Sequence, residues 1–251
     1  MTTIPLKDMD PAMLVFSLSE EISEIDLDQN ERSQIMAAAV IATHLHRGQT
    51  RMVRGCLPRV PYIEHPLRVT LRLIRWGVGD PQTLCAALLH DTVEDAAKEM
   101  LTYYAGRPAS EVKDLTETLR RDIALDWLED RFTSSVALFI HRVTNPVKST
   151  GIAYAEHIRS IELLEALLIK ASDLVDNAGS LPHQYGDVKD SFIIKRLDKY
   201  VDAVSVIIEA LEVRRLQYPQ TSSLRLAANQ ATERLERVAD ELLNLKITMG
   251  L

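Results

Sequence analysis

Cysteine is nearly absent from the sequence: 251 residues contain two, Cys56 and Cys85. They form no CxxC pair and are too few for a disulfide framework, so both read as ordinary thiols. Long apolar runs are missing too. No stretch of about 18 residues is free of charge, so no membrane-spanning helix and no membrane partner are expected. Met1 to Glu20 has neither a basic leader region nor a small-residue cleavage site, which points to a cytoplasmic protein. Aromatic residues make up 5% of the chain against 46% hydrophobic residues in all. That supply of aliphatic side chains suits one large core, a single domain with helical extensions. The formal charge of −7 lacks the basic excess of a surface that tracks nucleic-acid phosphates, so no nucleic-acid partner is expected. Alternating Val, Ile and Thr are not found either, which argues against a sheet.

What is there is helical spacing nearly throughout, the mark of an all-α protein. Ile35, Ala38, Ala39, Ala42 and Leu45 recur at three and four residues, as one face of an amphipathic helix requires. Further helices are predicted from Pro66 to Trp76, closed by Gly77, and from Pro81 to Val93, with Asp80 as N-cap and proline at the first helical position. Gly106 to Pro108 and Asn145 to Gly151 read as breaks. Helices resume over Ala153 to Ala178, with a pause near Glu162, and over Val188 to Leu216. After a linker, Tyr218 to Ser223, a last amphipathic helix carries Leu224, Ala228, Ala231, Leu235, Val238, Leu242 and Leu245. It packs either on its own domain or on a second copy, so a homo-oligomer is one expectation. The chain divides into an N-terminal helical extension, 1–30, a main domain, 31–216, and the C-terminal helix, 217–251.

Charge is unevenly placed. Between His44 and Arg75 lie Arg47, Arg51, Arg54, Arg59, Arg68, Arg72 and Arg75, with Glu64 as the only acid. A solvated charged face is the ordinary reading of such a run. It matters here because the most informative motif begins inside it. His90-Asp91-Thr92-Val93-Glu94-Asp95 closes the apolar run Leu84 to Leu89. A buried helix end does not gather that much acid and imidazole for packing, since each unpaired carboxylate costs several kcal/mol of desolvation. Acids at a helix C-terminus also oppose the helix dipole. A divalent cation would offset both costs. It needs more ligands than two adjacent side chains supply. An imidazole stands upstream, His65 before Pro66, and a carboxylate downstream, Asp173 within the apolar segment Leu167 to Val175. His65, His90, Asp91 and Asp173 make a mixed nitrogen and oxygen set suited to Mn²⁺, Fe²⁺ or Zn²⁺ rather than to a thiolate site.

The order His65, His90-Asp91, Asp173 resembles the H…HD…D signature of the HD superfamily. More narrowly, Gly48-Gln49, Tyr62-Ile63-Glu64-His65-Pro66-Leu67, Ala86 to Asp95, and Lys170-Ala171-Ser172-Asp173 with Asn177 are similar to the hydrolase domain of the RelA/SpoT family and the small alarmone hydrolases. The resemblance runs from about Glu31 to Tyr200. It implies an HD-type helical bundle with an additional C-terminal helix, one bound divalent metal, commonly Mn²⁺ with Fe²⁺, Zn²⁺ or Co²⁺ as alternatives, and a phosphorylated nucleotide as substrate. The implied reaction removes the 3′-pyrophosphate from guanosine tetra- or pentaphosphate. Glu94 and Asp95 would position and activate the attacking water. Arg51 would face base or phosphates, Lys170 a phosphate or a neighbouring carboxylate, and Asn177 the ribose.

The chain departs from that pattern at two places. Arg51-Met52 stands where the family often has Arg-Lys, before a loop, Val53 to Val60, that is longer than usual and holds Arg54 and Arg59. After Asn177, Ala178-Gly179-Ser180 replaces a Met-Arg-Thr type of sequence and removes a phosphate-facing arginine. Arg54 and Arg59 are therefore expected to take over phosphate contacts. No phosphate-cradling loop of the Walker type occurs, so synthetase activity is not expected. The alternatives are hydrolysis of another nucleotide, such as an adenosine alarmone or a dinucleotide phosphate, and a regulator that binds a nucleotide without cutting it. His44 and His46 are expected to be structural or surface residues, and His141, His157 and His183 carry no assigned role.

Overall fold

The computed structural model describes residues 4–53, 59–147, 150 and 152–251. Three helices are buried on nearly every side, and the rest is arranged around them. They are α3 (Glu64–Arg75), α4 (Pro81–Leu89) and α11 (Leu164–Ala178). Every residue of α3 from Glu64 to Leu73, of α4 from Thr83 to Leu89 and of α11 from Ala166 to Asp176 is buried. A helix that is shielded all round belongs at the centre of a bundle, and these three pack on one another.

Outside them, α1 (Pro11–Ser23) packs on α3 and α2 (Gln29–Leu45) on α4. After α4 come the single turn α5 (Thr92–Asp95), α6 (Ala97–Tyr103), α7 (Ala109–Asp114), α8 (Glu117–Arg131) and α9 (Ser134–Val143), with α8 on α9 and α9 on α4 and α11. The short α10 (Tyr154–Arg159) leans on α12 (Asp190–Arg215), and α13 (Ser223–Thr248) lies along both α11 and α12. The C-terminal helix thus packs on its own domain. One continuous apolar core reaches from Met9 to Leu245. No helix among the described residues is long and apolar enough to cross a membrane.

Local chemistry explains where the central helices start and stop. Asp80 caps α4 by accepting from the Thr83 backbone N–H (2.7 Å) and hydroxyl (2.6 Å), with Pro81 at the first position. Gly77, at φ +91°, takes the left-handed conformation that closes α3. Helix α3 begins at Glu64, two residues before the expected start. Pro66 then sits in the first turn, where a missing N–H costs nothing. The expected helix from Pro81 to Val93 is broken at His90-Asp91: α4 ends at Leu89, whose carbonyl accepts from the Thr92 hydroxyl (2.7 Å). The pause near Glu162 is the break between α10 and α11. A two-residue hairpin, β1 (Thr50–Arg51) with β2 (Val60–Pro61), is antiparallel with Arg51 opposite Val60. Two residues per strand carry no alternation for the sequence to show.

An ionic network fastens α3 to α11. Arg68 is fully buried; it donates to Glu64 (2.9 Å) and to both oxygens of Asp176 (3.0 and 3.2 Å). Arg72 reaches Asp176 (3.2 Å) and the Ser172 carbonyl (2.9 Å). Two of the seven arginines read as a solvated face are therefore interior. Removing one member strands the others without a partner in low dielectric. Arg68→Ala should lower the unfolding free energy by about 3–5 kcal/mol in a denaturant titration; a loss below about 1 kcal/mol would show that the network does not hold the two helices together.

Candidate metal centre and active site

The three central helices deliver four side chains to one point. His65 comes from the first turn of α3, His90 and Asp91 from the break after α4, and Asp173 from the third turn of α11. The Nε2 of His65 lies 3.4 Å from Asp91 Oδ2 and 3.2 Å from Asp173 Oδ1. The Nε2 of His90 lies 3.1 Å from Asp91 Oδ2 and 3.9 Å from Asp173 Oδ1. Among the described residues, His65, His90 and Asp91 form a group of ligand atoms all within 4.8 Å of one another.

The orientation of the two rings tells what the cluster is shaped for. His90 Nδ1–H donates to the Ala87 carbonyl at 2.8 Å, and His65 Nδ1–H donates to Asp176 Oδ2 at 2.8 Å. Each ring therefore presents its Nε2 to the centre. Both Nε2 atoms are buried and make no hydrogen bond. Two unsatisfied imidazole nitrogens facing two carboxylates are costly unless a cation lies among them. An Nδ1–H held by a carboxylate or carbonyl is also the usual support for a metal-bound imidazole. The residues present fit a divalent ion with nitrogen and oxygen ligands.

Electrostatics agree. Burial alone would raise the carboxyl of Asp173, but Lys170, His65 and His90 outweigh it and hold the group down at about 2. Asp91 is likewise held well below the usual carboxylate range, by His90 and His65 against its own burial. Burial and Arg51 would lower His65, yet the neighbouring carboxylates of Asp173, Asp176 and Asp91 push it up to about 9. The carboxylates thus stay charged at neutral pH and attract positive charge to the centre.

The acids next to the cluster stand in different settings. Glu94 Oε2 accepts from the Asn145 backbone N–H (3.1 Å) and side-chain amide (2.9 Å), so the break after α9 fixes its direction. Desolvation and the neighbouring charges of Asp91 and Glu94 push the carboxyl of Asp95 up to about 6. Lys170 is buried, with its Nζ 3.4 Å from Asp173 Oδ2; it donates to the Val143 carbonyl (3.2 Å) and to Asn145 Oδ1 (3.3 Å). The neighbouring carboxylate, one of the two partners expected for Lys170, is thus in reach.

A cavity of about 390 Å³ opens beside the cluster, lined by Arg51, Met52, Arg59, Tyr62, Asn177 and, from α12, Phe192, Arg196 and Tyr200. Its wall is tied directly to the cluster. The Tyr62 hydroxyl donates to Asp91 Oδ2 (2.7 Å), the Asn177 amide donates to Asp173, and Arg51 donates to Asn177 Oδ1 (2.6 Å). Arg59 is held by Thr50, through its hydroxyl (2.8 Å) and carbonyl (2.6 Å). Arg51, Arg59 and Asn177 are thus brought together, whereas Arg54 lies outside the described residues. Sequence reasoning missed Asp176, Asn145, Tyr62 and the α12 face. Asp176 had a signal, since it follows Asp173 by three on one helix face. His46 is buried with Nδ1 on Gln49 (2.9 Å), and His44 meets the Tyr104 hydroxyl (2.9 Å), so both are structural.

No family model matches the chain. Over 223 residues it is 31% identical to a Streptomyces coelicolor protein named GTP pyrophosphokinase, a match covering 82% of this chain and 23% of that protein. Over 197 residues it is 33% identical to the guanosine-3′,5′-bis(diphosphate) 3′-pyrophosphohydrolase of Vibrio cholerae, covering 75% of this chain and 24% of that one. The chain thus spans about a quarter of the length of these curated relatives. A solved structure, described as a metazoan ortholog of SpoT that hydrolyses ppGpp, superposes with a TM-score of 0.51 at 19% identity, over 82% of this chain and 96% of that one. In sequence and fold together, the chain is an all-helical domain that resembles (p)ppGpp 3′-pyrophosphohydrolases.

Proposed function

We propose that the protein is a metal-dependent hydrolase that removes the 3′-pyrophosphate from guanosine tetra- or pentaphosphate, leaving GDP or GTP. The observation that carries this reading is the pair of buried, unsatisfied Nε2 atoms of His65 and His90 facing Asp91 and Asp173. Those four residues would hold one divalent ion, Mn²⁺ by preference. When bound, such an ion neutralises charge on phosphoryl oxygens and makes water more acidic.

The chain's own residues do the rest. Water attacks the phosphorus joined to the ribose 3′ oxygen, the bond between them breaks, and the 3′ oxygen leaves as a hydroxyl. Glu94, aimed by Asn145, takes the proton from the attacking water. Asp95, with a carboxyl at about 6, exchanges protons readily near neutral pH and would return one to the leaving oxygen. In the adjoining cavity Arg51, Arg59 and Arg196 offer three guanidinium groups to the phosphates, and Tyr62, Phe192 and Tyr200 offer aromatic faces to the base. Arg54 belongs to the same proposed phosphate group by sequence. Lys170 acts through Asp173 and Asn145, and Asn177 steadies Arg51 against Asp173 while lining the cavity for the ribose.

The test is turnover of guanosine tetraphosphate by chelator-treated protein, with and without added Mn²⁺, with products resolved by ion-exchange chromatography. GDP and pyrophosphate should appear only with metal. Orthophosphate in place of pyrophosphate, or turnover of adenosine but not guanosine substrates, would reassign the reaction or the base; tight binding without turnover would make the protein a sensor. Glu94→Gln should keep metal and substrate affinity while kcat falls by about 10²–10⁴-fold, as expected when a proton acceptor is removed. Loss of the metal in this variant would make Glu94 a ligand instead.

A further inference from the structure

A second cavity, of about 320 Å³, lies beside Arg72, which shares Asp176 with His65 of the cluster. Lys7, Arg72, Gly179, His183, Arg234 and Glu241 are among its lining residues. Three basic side chains converge here from parts of the chain far apart in sequence: the segment before α1, the last turn of α3, and α13. The local anions do not match them. Asp176 is already shared by Arg68, Arg72 and His65. Glu241 meets Arg234 at 3.3 Å, in a partly exposed pair that contributes little and is easily exchanged. Burial is the main reason that Lys7 is lowered to about 7; the charges of Arg72, Arg68 and Arg234 add to it against the pull of Asp176.

We propose that this rear cavity binds a phosphate group, free or carried on a small molecule, with Lys7, Arg72 and Arg234 as its ligands. Guanidinium groups pair with phosphate oxygens through parallel N–H donors, and an ammonium adds a compact charge. The site reaches the metal cluster through one residue. Arg72 donates to Asp176 (3.2 Å), which in turn accepts from His65 Nδ1 (2.8 Å). A phosphate that draws Arg72 away leaves Asp176 a stronger partner for His65. The site is separate from the cavity that would take the substrate, and its existence does not depend on the hydrolase reading.

The experiment follows the melting temperature of the metal-loaded full chain in rising inorganic phosphate, with ionic strength held constant by chloride. A parallel series uses ribose 5-phosphate. A ligand specific for the folded state raises Tm in a saturable way. The midpoint should move to at least about tenfold higher concentration in Lys7→Gln and in Arg234→Gln, since each loses a charged hydrogen bond. Lys7→Arg should restore it. If either glutamine variant melts too early to titrate, Arg234→Lys, which keeps the charge but loses the fork, should still show a weaker response. Saturation by inorganic phosphate alone identifies a free ion, and tighter saturation by the ester identifies a carried phosphate. Midpoints equal in parent and variants, or a rise that chloride reproduces, overturn the proposal.

Discussion

Asp176 is buried with no exposed surface, and an isolated carboxylate in that position would cost several kcal/mol. It is tolerated because Arg68, Arg72 and His65 all donate to it, with Arg51 3.7 Å away. Burial alone would raise its carboxyl, but Arg68 and His65 hold it well below the usual range, so it stays charged. Three things depend on that charge. It ties α3 to α11 across the bundle, it keeps two buried arginines paired, and it fixes which nitrogen of His65 faces the cluster.

The last of these connects packing to chemistry. With Asp176 accepting from Nδ1, the His65 ring is held with Nε2 toward the cluster, where a bound cation would displace the proton that the carboxylates otherwise favour. His90 gains the same constraint from the Ala87 carbonyl. The proposed ligand set is thereby prearranged on helices that are buried on nearly every side. A second line of support runs from Asp173 through Lys170 and Asn145 to Glu94, so the proposed proton acceptor and a proposed ligand are oriented by one lysine. The front cavity meets the cluster through Tyr62 and Asn177, and the rear one through Arg72 and Asp176. Both open onto charges that the core itself needs.

Much of the bundle is legible in the sequence because helix signals are local. The Asp80 cap and the pause near Glu162 stand in short stretches of text. The His65, His90-Asp91 and Asp173 cluster is legible for a different reason: such residue types have few other reasons to interrupt apolar helices. What escaped lies in contacts between distant residues. Asp176 meets His65 and Arg68 over separations of 111 and 108 residues, and Asn145 meets Glu94 over 51. Arg68 and Arg72 look like solvated charges in a basic run, although their spacing of three and seven from His65 places all three on one helix face. The α12 residues Phe192, Arg196 and Tyr200 follow ordinary helical periodicity, and only the fold brings them to the cavity.

The claim that the core carboxylate prepares the metal site is tested most directly by Mn²⁺ affinity in Asp176→Asn, an isosteric change that removes the charge and leaves all four cluster residues in place. Titration of folded protein, checked by circular dichroism, should show a dissociation constant about 10–100-fold weaker than the parent, the usual cost of losing the partner that orients a metal-binding histidine. An affinity within about twofold of the parent would contradict the account and leave Asp176 as a purely structural ion.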